Sequence, residues 1–198
     1  MSQRTALPYP RGLLSWALRL PLLFYRAGLG NLLNTTMHIM VLATRGRTSG
    51  LPRYTAIEYR RHGSKIYVVS AWGNQPQWFK NLLAQPEVMI QQGQRSLRAT
   101  ASPVTNAGEA LRVLHLFRRR APFFYDPLIA RLSERDSINE RTLPEVSKLF
   151  TIVRIDPEPG VSELPPLTPD FMWVWPALLA FGVVVTLVIL LTRQHGDG

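Results

Sequence analysis

The stretch Ile39-Met-Val-Leu-Ala-Thr-Arg-Gly-Arg-Thr-Ser-Gly-Leu-Pro-Arg-Tyr-Thr-Ala-Ile-Glu-Tyr-Arg-Arg61 decides the fold. An apolar run, Ile39 to Ala43, enters a glycine-flanked turn, and the chain leaves it on Tyr54 to Arg61, which reads as a strand. Lys65 to Ala71, Val88 to Gln92 and Arg95 to Val104 repeat the period of two, and Leu149 to Ile155 closes the series. His62-Gly63-Ser64 and Gln92-Gly93-Gln94 punctuate these strands as hairpin turns. Helices are expected from Asn106, a good N-cap, to about Arg120, and from Pro122 through Leu132. Strands joined by hairpins with helices at the periphery predict a mainly β fold, a small barrel and not a doubly wound sheet.

The turn itself, Thr44-Arg-Gly-Arg-Thr-Ser-Gly-Leu-Pro-Arg53, gathers guanidinium groups, hydroxyls and flexible backbone N–H groups, the material from which a phosphate cradle is made. Further on, Gln75-Pro-Gln-Trp-Phe-Lys-Asn-Leu-Leu-Ala-Gln-Pro86 reads as a short helix with Trp78, Asn81 and Leu82 on roughly one side. A cradle followed by an aromatic-bearing helix points to a phosphorylated, flat-ringed cofactor. The net charge is +10, and only three of the twenty-three cations are lysine. Arginine suits planar, bidentate contact with phosphate. Codon-driven surface charge accounts for most of these arginines, whereas the turn context singles out Arg47 and Arg53. Arg118-Arg119-Arg120 is the place where an anionic surface would be met. With no cysteine, disulfides, thiolate metal sites and cysteine nucleophiles are excluded. The four histidines, His38, His62, His115 and His195, lack ligand spacing, so no metal is expected.

At 198 residues the chain has room for one domain and an appendage. Phe171 to Thr192 carries no charge and is long enough for a transmembrane helix, with Trp173 and Trp175 at its leading edge and Arg193 beyond it. Asp156 to Asp170 holds five prolines in fifteen residues and reads as a semi-stiff spacer. Leu13 to Phe24 is apolar but interrupted by Arg19 and Pro21, an amphipathic helix that covers a cleft or lies on lipid. The expected order is therefore an N-terminal helix (1–34), a barrel (35–155), a linker (156–170), a membrane span (171–192) and a tail (193–198). The barrel is placed in the cytoplasm, since the N-terminus lacks a convincing signal sequence.

These residues resemble the deazaflavin-dependent nitroreductase and quinone reductase family of the split β-barrel flavin-binding fold, over about Tyr25 to Pro157. The resemblance rests on the turn at 44–53, on Tyr67-Val-Val-Ser-Ala-Trp-Gly73, on Trp78-Phe-Lys-Asn-Leu82 and on Pro86-Glu-Val88, in that order. It implies coenzyme F420 as cofactor. It also implies that Arg47, Thr48, Ser49, Gly50 and Arg53 hold its phosphate, with Pro52 stiffening the turn. Thr55 and Ala56 would line the deazaflavin, Ala71, Trp72 and Gly73 would form the floor beneath it, and Trp78 with Asn81 would close the site. The chain departs from some nitro-reducing members, which carry Ser-Lys-Gly-Gly where this one has Ala71-Trp-Gly-Asn74.

The resemblance implies hydride transfer from reduced deazaflavin to a quinone or other lipophilic acceptor, in a fold whose barrels often pair as homodimers, and the uncharged last helix is expected to tether the protein to the bilayer. Tyr125 either meets the substrate carbonyl or packs with Phe123 and Phe124. Trp72 and Trp78 either stack on a ring or fill the core, and Glu58, His62 and His38 read as structural. Two other readings stand beside this one. The same cleft would take flavin mononucleotide (FMN) or haem in other branches of the fold, and a basic face alone would make a non-enzymatic lipid-binding module. Nucleic acid is not expected, because the arginines gather at a turn instead of forming a stripe interleaved with exposed aromatics.

Overall fold

The structure is a computed structural model that describes residues 12, 15–16, 18–120 and 151–194. Its elements, numbered in chain order, are α1 (Leu20–Arg26), α2 (Gly30–Thr36), β1 (Ile39–Arg45), β2 (Pro52–His62), β3 (Lys65–Ser70), α3 (Gln77–Ala84), β4 (Glu87–Gln92), β5 (Arg95–Pro103), α4 (Ala107–Arg120), β6 (Thr151–Glu158) and α5 (Val174–Gln194). The six strands close into a barrel in the order β1-β2-β3-β6-β5-β4, every pairing antiparallel. Tyr125 and the helix expected from Pro122 through Leu132 lie outside the described residues.

The period of two seen in the sequence is the period of the barrel wall. Met40 and Leu42, Ile66 and Val68, Val88 and Ile90, Ala99 and Ala101, and Val153 and Ile155 all point inward into one core. Trp78, Phe79 and Leu82 of α3 join that core. The outer face is covered in patches. Tyr25 and Leu33 cover Val41, Leu164 covers Ala43 and Met89, and α4 covers Tyr67 and Ile152 through Ala110, Val113 and Phe117. β1 is therefore buried on both faces, which is why Ile39 to Ala43 reads as an unbroken apolar run.

Both expected hairpins form two-residue turns, closed by the pairs His62–Lys65 and Gln92–Arg95. Gly93 has φ of 63°, and a Cβ there would lie 1.9 Å from Asn31 Oδ1, so both conformation and space demand glycine. Asn31 uses the approach to accept the Gln94 N–H at 3.2 Å, which fastens α2 to the hairpin. Asn106 accepts the Glu109 N–H at 2.9 Å and caps α4.

The expected transmembrane helix requires correction. Among the described residues no helix is long and apolar enough to cross a membrane, so a bilayer anchor through this segment has no support. Hydropathy alone misreads the start of this segment, because Phe171 and Trp175 have partners at the end of α1. Trp175 Nε1 donates to the Ala27 carbonyl at 2.7 Å, the Phe171 N–H donates to the Arg26 carbonyl at 2.9 Å, and the Arg26 guanidinium lies 4.2 Å from the Phe171 ring centroid. The Pro-rich segment before it also lies along the barrel. Tyr54 donates to the Pro165 carbonyl at 2.9 Å, and Gln91 binds both the N–H and the carbonyl of Leu167, at 2.9 and 3.2 Å, much as a neighbouring strand would.

Tyr25 ties the N-terminal helices to this wall. Its hydroxyl donates to the Ile39 carbonyl at 2.9 Å and accepts the Gly93 N–H at 3.2 Å. Burial pushes its pKa up to about 12, the Gly93 hydrogen bond opposing the rise. Because the folded value lies above the ordinary one, the hydroxyl's contribution is fully present below about pH 10 and is lost as pH rises through about 12. Tyr25→Phe is expected to cost about 1–2 kcal/mol at neutral pH. The difference in stability between wild type and variant, followed by urea unfolding at rising pH, should shrink between about pH 10 and 12.

Candidate functional site

The glycine turn is held between paired strands. The β1–β2 register runs to Arg45 opposite Pro52, which leaves residues 46–51 to reverse the chain. The Gly46 N–H donates to the Leu51 carbonyl at 2.9 Å, and the Gly50 N–H donates to the Gly46 carbonyl at 2.7 Å. Gly50 sits at φ of 70°, in the left-handed region where a side chain is strained. A Cβ at Gly46 would come within 2.8 Å of Ser49 Oγ, so the turn leaves no room there. Arg47, Thr48, Ser49, Gly50 and Arg53 are exposed, and Pro52 opens β2 half-buried.

One buried side chain fixes the turn to the helix. Asn81, 4% exposed on α3, accepts from the Arg47 backbone N–H at 3.3 Å and from Arg47 Nη1 at 3.2 Å. Its Nδ2 donates to Thr44 Oγ1 at 3.3 Å, and Thr44 is fully buried. The polar atoms that close the base of the turn are thus satisfied within it. Gln77, one helical turn before Asn81, accepts from Arg47 Nη1 at 2.8 Å, and Arg53 Nη2 donates to Ser49 Oγ at 3.4 Å.

The partners of the arginines divide them into two groups. Arg26, Arg45, Arg60, Arg98 and Arg154 are each paired with a carboxylate. Among the described residues Arg47, Arg53 and Arg61 are held by amide and hydroxyl oxygens, which orient a guanidinium without cancelling its charge, and of these Arg47 and Arg53 lie in the turn. Two positively charged forks therefore stand on an exposed turn with their charge available to an anion.

The other expected site residues are placed as follows. Thr55 and Ala56 are half-buried on β2, opposite Leu42 and Val41. Ala71 and Trp72 are half-buried and Gly73 is buried in the turn after β3, where Ser70 Oγ donates to the Gly73 carbonyl at 2.6 Å. That turn leads into α3 through the Gln75 N–H bond to the Trp72 carbonyl at 3.2 Å, so α3 is tied to both segments. Trp78 turns inward, 9% exposed and edge-on to Phe79 at 5.8 Å between ring centroids, so its ring is core. Sequence reasoning missed Thr44 and Gln77; the four-residue spacing of Gln77 from Asn81 was the available signal.

Two further features lie apart from these residues. A cavity of about 590 Å³ opens between Arg45, Gln85, Glu87, Arg98 and Glu163, and none of the expected site residues lines it. Behind α4, the Tyr67 hydroxyl donates to Glu109 Oε1 at 2.8 Å, and Arg154 lies 3.7 Å from the same carboxylate. Burial, reinforced by the bond to Glu109, pushes the Tyr67 pKa up to about 12, so this strut between β3 and α4 stays protonated at neutral pH. Among the described residues no group of three or more His, Cys, Asp or Glu side chains is placed to hold a metal ion.

A family model described as F420H(2)-dependent quinone reductase matches residues 18–134, and the chain belongs to that family. An F420H(2)-dependent quinone reductase of Mycobacterium tuberculosis and a putative one of Mycobacterium bovis are each 35% identical to it over 68 residues, which is 33% of this chain and 46% of theirs. The chain thus spans about half the length of the curated relatives it matches. Among solved structures, one titled F420-H2 dependent reductase is 20% identical with a TM-score of 0.42, covering 59% of this chain and 92% of that one. A putative pyridoxamine 5'-phosphate oxidase from Listeria innocua is 13% identical with a TM-score of 0.43, covering 61% of this chain and 84% of that one.

Asn81→Leu keeps the approximate volume but strips the partners from the Arg47 N–H and from Thr44. It is expected to cost about 1–3 kcal/mol of stability, measured by denaturant unfolding. An unchanged midpoint would mean that the turn is held without Asn81.

Proposed function

We propose that this chain is an oxidoreductase that uses reduced coenzyme F420 and passes a hydride to a quinone. The observation that carries the reading is the pair Arg47 and Arg53, whose charge no carboxylate among the described residues cancels, on a turn with exposed hydroxyls and a positive-φ glycine. That donor set fits a phosphate group. Family membership supports the deazaflavin and the quinone as the reacting pair. When bound, the reduced deazaflavin supplies the hydride, and the protein's work is orientation and exclusion of water.

In this reading Arg47, Arg53, Thr48 and Ser49 grip the phosphate, while Gly50 lets the backbone turn beneath it. Thr55, Ala56, Ala71 and Trp72 border the ring from the barrel rim. Asn81 and Pro52 keep the turn in place, and the Trp78 ring supports α3 from within the core.

Arg47→Ala and Arg53→Ala are each expected to weaken coenzyme F420 binding by about 2 kcal/mol, roughly thirtyfold in dissociation constant, since each removes a charge-assisted contact. Equilibrium titration of the full chain, with FMN in a parallel series, checks this. Equal affinity of wild type and both variants, all folded, would remove the turn from the cofactor site. Tighter binding of FMN than of F420 would favour the flavin reading instead.

A further inference from the structure

Gln77 is the first residue of α3, a position at which the exposed N–H groups and helix dipole favour an acidic side chain. The helix has no acid in its first turn and no side-chain cap at its start. Here that omission coincides with a specific contact. Gln77 Oε1 accepts from Arg47 Nη1 at 2.8 Å, where a glutamate in the same position would form an ion pair like those of Arg26, Arg45, Arg60, Arg98 and Arg154. Among the described residues those arginines have carboxylate partners, whereas Arg47, like Arg61 on Gln92, has an amide, although local stability would be served by a carboxylate on Arg47.

The chemistry of the amide explains the choice. A glutamine oxygen takes one N–H of the fork and fixes its direction, but brings no negative charge. A carboxylate would fix it equally well and cancel the field that an incoming anion must feel. Asn81, the second acceptor on Arg47, is likewise an amide, and the acceptor on Arg53 is a hydroxyl. We propose that Gln77 is a specificity-determining positioning residue, a neutral tether that aims Arg47 at the anionic phosphate of the cofactor while leaving its charge uncompensated. The inference rests on the reading of the 46–53 turn as the phosphate site.

Gln77 is exposed, so its substitution tests the inference without threatening the core. Coenzyme F420 is titrated into the full-length wild type, Gln77→Glu, Arg47→Ala and the double variant, with thermal unfolding of each measured beside it. Gln77→Glu is expected to raise the melting temperature and to weaken F420 binding about tenfold, two effects of opposite sign that a purely structural glutamine would not produce. In the Arg47→Ala background the same substitution should change binding far less, because the charge it cancels is gone. If Gln77→Glu binds F420 as tightly as wild type while Arg47→Ala weakens it, the tether proposal is overturned and the phosphate turn stands. If Arg47→Ala also binds normally, the turn is not the phosphate site and the proposal falls with it.

Discussion

The burial of β1 on both faces is the constraint on which the rest of the structure depends. A strand in a small barrel ordinarily turns one face to the core and the other to water. Here Met40 and Leu42 fill the interior, and Val41 and Ala43 must be covered by chain from elsewhere. The N-terminal helices and the Pro-rich segment supply that cover, the latter through Leu164 and Leu167, held in place by Tyr54 of β2 and Gln91 of β4. A strand sealed in this way, paired with β2 and β4 along its length, gives its end little freedom. The arginine turn begins where β1 ends. A flexible-looking glycine loop thereby becomes an ordered turn, and under the proposed reading ordering completed during folding does not have to be paid again on binding.

Asn81 extends that order into the polar part of the site. In a buried position an amide is stable only if its donors and acceptor are used, and the Arg47 N–H, Arg47 Nη1 and Thr44 Oγ1 use them. The same side chain therefore sets the direction of Arg47 and closes the base of the turn. Trp78, Phe79 and Leu82 root its helix in the barrel core, so an apolar anchor and a polar latch act on one short element.

Much of this was legible in the sequence because period two and glycine punctuation are local signals. The hairpins at Gly63 and Gly93 and the cap at Asn106 follow from residue type and spacing. What failed was any reading that depended on partners remote in sequence. Trp78, which the sequence left open between stacking on a ring and filling the core because nothing local reveals that α3 turns inward, packs in the core. Phe171 to Thr192 looked like a membrane span because composition alone was counted. Trp175 instead gives its N–H to Ala27, which lies 148 residues away in the chain. The proline spacer also lies on the barrel, since its carbonyls can still accept hydrogen bonds even though proline nitrogens cannot donate them.

Charge placement carries the same lesson into function. A chain with a net charge of +10 repels itself, and pairing arginines with the available carboxylates relieves part of that cost. Arg45 and Arg47 stand two residues apart at the end of β1, yet among the described residues Arg45 is matched by Glu163 while Arg47 meets the amides of Gln77 and Asn81. General basicity cannot account for that contrast, because it would treat the two alike. The difference lies in the neighbours the fold brings to each, an acidic residue from the C-terminal segment for one and the polar start of α3 for the other. Among the described residues, Arg47 and Arg53 thus carry no carboxylate partner at this end of the barrel, while nearby Arg45 is paired with Glu163.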